Sequence, residues 1–218
     1  EKMKVCTCLN PLHTALAVFG CLLGYTRISE EMQDADLRKL VTIIGYQEGL
    51  PAVADPGIID PKEFIDTVVN VRFPNPFMPD TPQRIATDTS QKLSVRYGET
   101  VKAYLASDKL DVQDLKLIPL VYAGWLRYLL GIDDQGRGFE VSPDPLLEEA
   151  RSYLEGLSLG EYSLPQLREK LLPLLKNRQI FGVDLEEAGL SERTISYFRE
   201  LLIREGSVRT ALHELVRD

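Results

Sequence analysis

Three polar side chains fall close together near the start of the sequence: Lys4, Asn10 and His13, in KVCTCLNPLH. Asn10-Pro11 has the form of a helix start, an Asn cap followed by Pro at the first helical position, where a missing N–H costs nothing. Asn10 and His13 then stand at the cap and in the first turn, near the positive end of the helix dipole. Donors placed there suit stabilisation of an oxyanion or a polarised carbonyl. A lysine at the edge of an apolar element has its pKa lowered by desolvation, which lets it act as a base near neutral pH. The plainer reading of the same residues is a cap, a first-turn histidine and a solvated cation, and spacing alone does not choose between the two.

A second set is Arg84, Asp88 and Lys92 in RIATDTSQK, at i, i+4 and i+8. On a continuous helix they share one face. They then form either a surface salt-bridge ladder or a clamp in which Arg84 and Lys92 donate to an anion or a polyol. Cys6, Cys8, Cys21 and His13 lack the spacing of the usual zinc pairs and read as buried thiols, with no metal. Residues 184–202 have the look of a helix-turn-helix. The stretch 184–218 holds five Arg, no Lys and eight Asp or Glu, which disfavours a nucleic-acid partner. Neither G-x-G-x-x-G nor G-x-x-x-x-G-K-[ST] occurs, so those devices for a dinucleotide or triphosphate are absent. G-x-S-x-G and H-E-x-x-H are absent too.

The elements that must carry these groups read as helices. Leu12 to Leu23 is apolar nearly all round, so a buried helix is expected there, stopped by Gly24. Ser29 is placed to cap a helix over about 30–48, with Leu37, Leu40, Val41 and Ile44 on its inner face. Asp60-Pro61 restarts a helix, and Pro74, Pro76 and Pro79 make 73–80 extended. Thr81-Pro82 opens another helix, and a longer one is expected over 91–106. Asp111 or Asp114 caps the next, over about 115–130. Shorter helices follow at about 145–155, 164–175, 191–204 and 207–216. No strand-length alternation appears, so the fold class is all-α.

The chain has 218 residues, 25 Lys plus Arg and 33 Asp plus Glu, and a net charge of −8, with 44% hydrophobic residues. That composition is globular, not disordered. Three cysteines make no disulfide framework and point to a reducing, cytoplasmic setting. No apolar run is long enough for a membrane span, and no signal peptide is recognisable. The chain is expected to form one domain over 1–218, with 131–218 as a peripheral helical part.

With these residues in view, the sequence resembles the C-terminal domain of the mannitol dehydrogenase family, the long-chain polyol-specific dehydrogenases and reductases. The likeness runs from KVCTCLNPLHTALAVFG through DPGIIDPKEFIDTVVNVRFPNPFMPDTPQRIATDTSQK to VDLEEAGL, and the middle block is the most specific part. It implies a multi-helical fold like the 6-phosphogluconate dehydrogenase C-terminal domain, with NAD held by a separate N-terminal Rossmann-type domain and no metal. It implies Lys4 as acid/base, Asn10 and His13 on the reacting oxygens, and Arg84 and Lys92 as substrate binders. Five residues separate Lys4 from Asn10 where the family usually has four, and Thr89 stands where the family usually has Gly. The implied reaction is interconversion of D-mannonate and D-fructuronate. Mannitol 2-dehydrogenase or tagaturonate reductase activity, or a non-catalytic helical or pseudoenzyme module, are the alternatives.

Overall fold

The apolar run that follows Asn10-Pro11 forms α1 (Asn10–Leu23), and every residue from Thr14 to Leu22 is buried. The computed structural model describes residues 9–53 and 60–217. Gly24 ends α1 in the left-handed region, at φ 84°, where glycine carries no steric penalty. Asn10 is not the cap. Leu9 already has helical backbone angles and no side chain closes the end, so Asn10 is the first residue of the helix proper. A cap needs an extended backbone, and this start does not provide one.

The single helix expected over 30–48 is divided. A short turn, α2 (Ile28–Glu31), is followed by α3 (Ala35–Ile43) and a π-helical turn, Ile44–Gly49. Asp34, not Ser29, is the cap: its carboxylate accepts from the N–H groups of Asp36 and Leu37. α4 (Pro61–Thr67) is capped by Asp60 and also runs into a π turn, Val68–Arg72. Residues 73–80 contain turns and no helix. Thr81 caps α5 (Pro82–Ile85), which ends before Asp88. α6 (Thr89–Leu93), a third π turn (Ser94–Gly98) and α7 (Glu99–Ala106) continue in one line.

The second half supplies α8 (Ile118–Leu129), α9 (Leu147–Ser152), α10 (Leu164–Leu175), α11 (Arg178–Phe181), α12 (Ser191–Leu202) and α13 (Ser207–Leu215). All twelve residues of α8 are buried. α1 crosses α8 closely: a Cβ at Gly124 would lie 2.7 Å from the Phe19 ring, so any larger residue there would force that ring to move. α12 packs along α8, and α13 folds back on α12 and reaches α1 and α3. Tyr122 and Trp125 of α8 meet the edge of Phe181 at 5.2 and 5.9 Å, so α11 joins the same core. The buried side chains of both halves belong to one contiguous cluster. Among the described residues there is no strand, only an isolated bridge between Ile132 and Gly138, which agrees with the all-α expectation.

Two buried ionisable side chains tie the frame together. Neither Asp111 nor Asp114 caps α8. That role falls to Glu48, whose carboxyl accepts from the N–H groups of Leu117 and Ile118 at 2.8 and 2.9 Å. Burial pushes the Glu48 carboxyl up to about 7, against the downward pull of those backbone bonds. At the other end of α8, buried Arg127 donates to the carbonyls of Leu201 and Asp133. A third tie joins the chain's extremes: Arg209 on α13 grips Asp34 at 2.6 and 2.9 Å, and Tyr25 donates to the same carboxylate at 2.6 Å. Burial alone would raise Asp34, but the bonds from Arg209 and Tyr25 hold it down at about 2.

Candidate functional site

His13 lies in the first turn of α1, where its backbone is fixed by the buried helix behind it. The imidazole stacks on Phe73 with centroids 5.0 Å apart and planes 18° from parallel. Its Nε2 is buried and has no hydrogen-bond partner among the described residues; Asp80 Oδ2 lies 3.6 Å from it. Burial lowers the His13 pKa to about 4; Asp80 opposes that shift, and Arg96, Arg72 and Lys92 reinforce it. The ring is therefore neutral at pH 7, and its contact with Asp80 is not an ion pair. Asn10, one turn earlier, is half-buried. Lys4 lies outside the described residues.

Asp80 connects the two stretches of chain. Its Oδ1 accepts from Arg84 Nη2 at 3.1 Å, and its backbone carbonyl accepts from the N–H of Ile28. Arg84 is an exposed residue on α5, whose start is set by Thr81 accepting from the Arg84 N–H. Its side chain lines a broad hollow of about 660 Å³ against the 139–143 segment. His13, by contrast, lines a separate, narrow hollow with Asp80 and Arg72. His13 and Arg84 thus lie on either side of one carboxylate rather than around one shared cavity.

The expected shared helix face for Arg84, Asp88 and Lys92 does not form. Asp88 has φ 58°, the one left-handed non-glycine among the described residues, and it breaks the helix between α5 and α6. Aspartate tolerates that conformation better than most residues. The 142–144 segment holds the break in place: the Asp88 N–H donates to the Pro143 carbonyl, and the Ser90 N–H and hydroxyl donate to Asp144. Lys92 turns back, its Nζ donating to the Ile85 carbonyl at 2.9 Å. Burial, with Arg96 beside it, lowers the Lys92 pKa, while Asp88 and Asp144 pull it up.

Sequence reasoning does not single out Asp80 or Arg96. Arg96 sits in the π turn after α6 and donates to the hydroxyl of buried Thr14, the residue next to His13, at 2.5 Å. Arg72 likewise comes from a π turn. Such turns displace side chains from the ordinary helical register and are common at functional sites. The sequence signal for Asp80 is an acidic residue four positions before Arg84. Cys21 is a buried free thiol with its pKa pushed up to about 12 by burial and the neighbouring Glu31, which makes it inert. Among the described residues no cluster of three His, Cys, Asp or Glu side chains could hold a metal ion. No helix among them is long and apolar enough to cross a membrane.

The domain is thus helical, with a neutral histidine in the first turn of a buried helix and Arg96, Arg72 and Lys92 close enough to lower its pKa. The family model for the mannitol dehydrogenase C-terminal domain matches residues 1–201, and the chain belongs to that family. It is 54% identical to the D-mannonate oxidoreductase of Thermotoga maritima over 216 residues, covering 99% of this chain and 40% of that protein. It is 33% identical to the D-mannonate oxidoreductase of Escherichia coli over 149 residues, covering 68% of this chain and 29% of that protein. The fold is that of the Pseudomonas fluorescens mannitol 2-dehydrogenase solved with NAD and D-mannitol: TM-score 0.79, 24% identity, 99% of this chain and 40% of that one. The chain therefore spans about 40% of the length of the relatives that it matches from end to end.

Proposed function

We propose that this chain is the substrate-binding and catalytic-residue domain of an NAD-dependent oxidoreductase that interconverts D-mannonate and D-fructuronate. The observation that carries this reading is the meeting of His13 and Arg84, from distant stretches of sequence, on the two oxygens of Asp80, with Lys92 near enough to His13 to help lower its pKa. The high identity to a D-mannonate oxidoreductase favours the sugar acid among the family's substrates. Basic side chains around the site suit a hexuronate carboxylate better than a neutral polyol, because charge-assisted bonds are roughly twice as strong as neutral ones.

NAD finds no familiar cradle in this chain alone: the described residues contain no strand, and the sequence has no G-x-G-x-x-G. Its binding is assigned to a nucleotide-binding domain in the longer protein, and the residues 1–218 act as one substrate domain beside it. Bound NAD supplies the two-electron acceptor. In this domain, Lys4 takes the hydroxyl proton in oxidation and returns it to the carbonyl oxygen in reduction, without a metal. His13, held neutral, donates a hydrogen bond to the substrate without adding charge, and Asn10 shares the reacting oxygen. Arg84 and Lys92 hold the far end of the sugar acid. The compartment that fits is the cytoplasm, where a free buried thiol such as Cys21 persists.

The test is NADH oxidation by the full-length protein with fructuronate, tagaturonate and fructose. The reading expects fructuronate to lead in kcat/KM by about tenfold or more, and Lys4→Ala to lower kcat by about 10²- to 10⁴-fold with folding intact. A lead for fructose or tagaturonate would reassign the substrate to mannitol 2-dehydrogenase or tagaturonate reductase chemistry. No turnover of any of them would leave a non-catalytic helical module or pseudoenzyme.

A further inference from the structure

We propose that His13 Nε2 and Asp80 Oδ2 together read one hydroxyl group of the substrate, which makes Asp80 a specificity-determining residue. This rests on the reading above only in taking a polyhydroxyl compound as the ligand.

The two atoms are 3.6 Å apart, too far to bond each other, and Nε2 is buried without a hydrogen-bond partner among the described residues. A buried polar atom left unpaired costs stability unless a ligand or water completes it. Both residues line the same hollow of about 40 Å³. A hollow this small admits one end of a ligand and not a whole sugar, so it suits a hydroxyl-bearing carbon. Leu9, Ile28, Phe73 and Met78 form its apolar walls and would contact the C–H groups, and Arg72 completes the lining at its polar side.

The donor set selects the ligand group. Arg84 occupies Oδ1 of Asp80, which leaves Oδ2 turned toward the imidazole. A carboxylate accepts only, so the hollow needs a donor on that side. Facing a carboxylate, His13 keeps its proton on Nε2, because the bare lone pair would be repelled there. Nε2–H therefore donates. A hydroxyl is both donor and acceptor and satisfies the two atoms at once. A ketone oxygen leaves Oδ2 unpaired, and a carboxylate is repelled by it. The hydroxyl in question is thus distinct from the sugar-acid carboxylate and from the carbonyl.

The experiment compares wild type, Asp80→Asn and Asp80→Ala in the full-length protein, using the preferred keto sugar and deoxy analogues that each lack one hydroxyl. kcat/KM is measured by NADH oxidation, and equilibrium binding of the matching polyols by titration calorimetry. For wild type, one analogue should lose about 10- to 100-fold, the worth of a hydrogen bond to a charged group. In Asp80→Ala that penalty should fall to within about threefold of unity while the penalties at other hydroxyls persist. Asp80→Asn, whose amide oxygen still accepts, should give an intermediate value and serves if the alanine variant does not fold. Because the readout is a ratio between substrates, a general loss of stability does not imitate it. Unchanged penalties in both variants would overturn the proposal. A wild type that binds polyols with the Asp80-dependent penalty but turns none over would uphold it while refuting the oxidoreductase reading. Failure to bind any polyhydroxyl compound would overturn both.

Discussion

Replacing Glu48 with glutamine tests how a buried carboxyl can both cap α8 and control stability. Glu48 is almost fully buried and has its pKa raised from 4.5 to about 7 by burial. Between those two values the folded protein binds more protons than the unfolded chain, so stability falls as pH rises. The contribution is fully present below pH 4.5 and lost as pH passes about 7. At about 1.36 kcal/mol per pH unit of displacement, the loss is on the order of 3 kcal/mol. For a chain of this size that corresponds to roughly 6–12 °C in Tm. The substituted amide cannot ionise, but its NH2 opposes one of the two N–H groups at the helix start, which costs about 1–2 kcal/mol at every pH. Wild type should therefore melt above the Glu48→Gln variant at pH 5, and the gap should close or invert by pH 8. Thermal unfolding followed by circular dichroism across that range measures it. Parallel Tm curves for the two proteins would show that Glu48 stays ionised throughout and that its two backbone bonds outweigh its burial.

Three further outcomes are expected. His13 should titrate near pH 4 by NMR, and its contribution to stability, present above pH 6.5, should be lost as pH falls toward 4, the opposite direction from Glu48; a titration near 6.5 would place the ring in solvent. Asp88→Gly should be nearly neutral while Asp88→Val should cost about 2 kcal/mol or more, since a β-branched residue is strained at φ 58°; chemical denaturation distinguishes them. Gly98→Ala should destabilise by about 1–3 kcal/mol, because the new Cβ would fall 2.4 Å from the Phe181 carbonyl; an unchanged midpoint would mean that α11 shifts freely.

Local signals carry much of the fold. Asn10-Pro11, Asp60-Pro61 and Thr81-Pro82 all mark true helix starts, and Gly24 a true stop. They fail where a distant group takes over a local role. Glu48 caps α8 from nearly seventy residues away, and no window around Leu117 contains that information. The spacing through Asp88 reads as one helix because its break is held by Pro143 and Asp144, contacts that exist only after folding. The π turns behind Arg72 and Arg96 leave the apolar spacing helical, so periodicity does not reveal them. In the site, motif resemblance singles out His13, Arg84 and Lys92 but not Asp80, the carboxylate whose two oxygens face His13 and Arg84. Asp80 carries an ordinary i,i+4 pairing with Arg84 as well, and that pairing makes it look like surface decoration.

The grip of Arg209 on Asp34 spans 175 positions of chain. During synthesis the segment bearing Asp34 emerges long before its partner, so α3 leaves the ribosome without the cation that later neutralises its cap. Contacts of such long range are slow to close because the intervening loop must first be ordered. The cap of α3 therefore reaches its neutralised form only once α13 has been made, and a chain ending before residue 209 would leave the Asp34 carboxylate without that guanidinium.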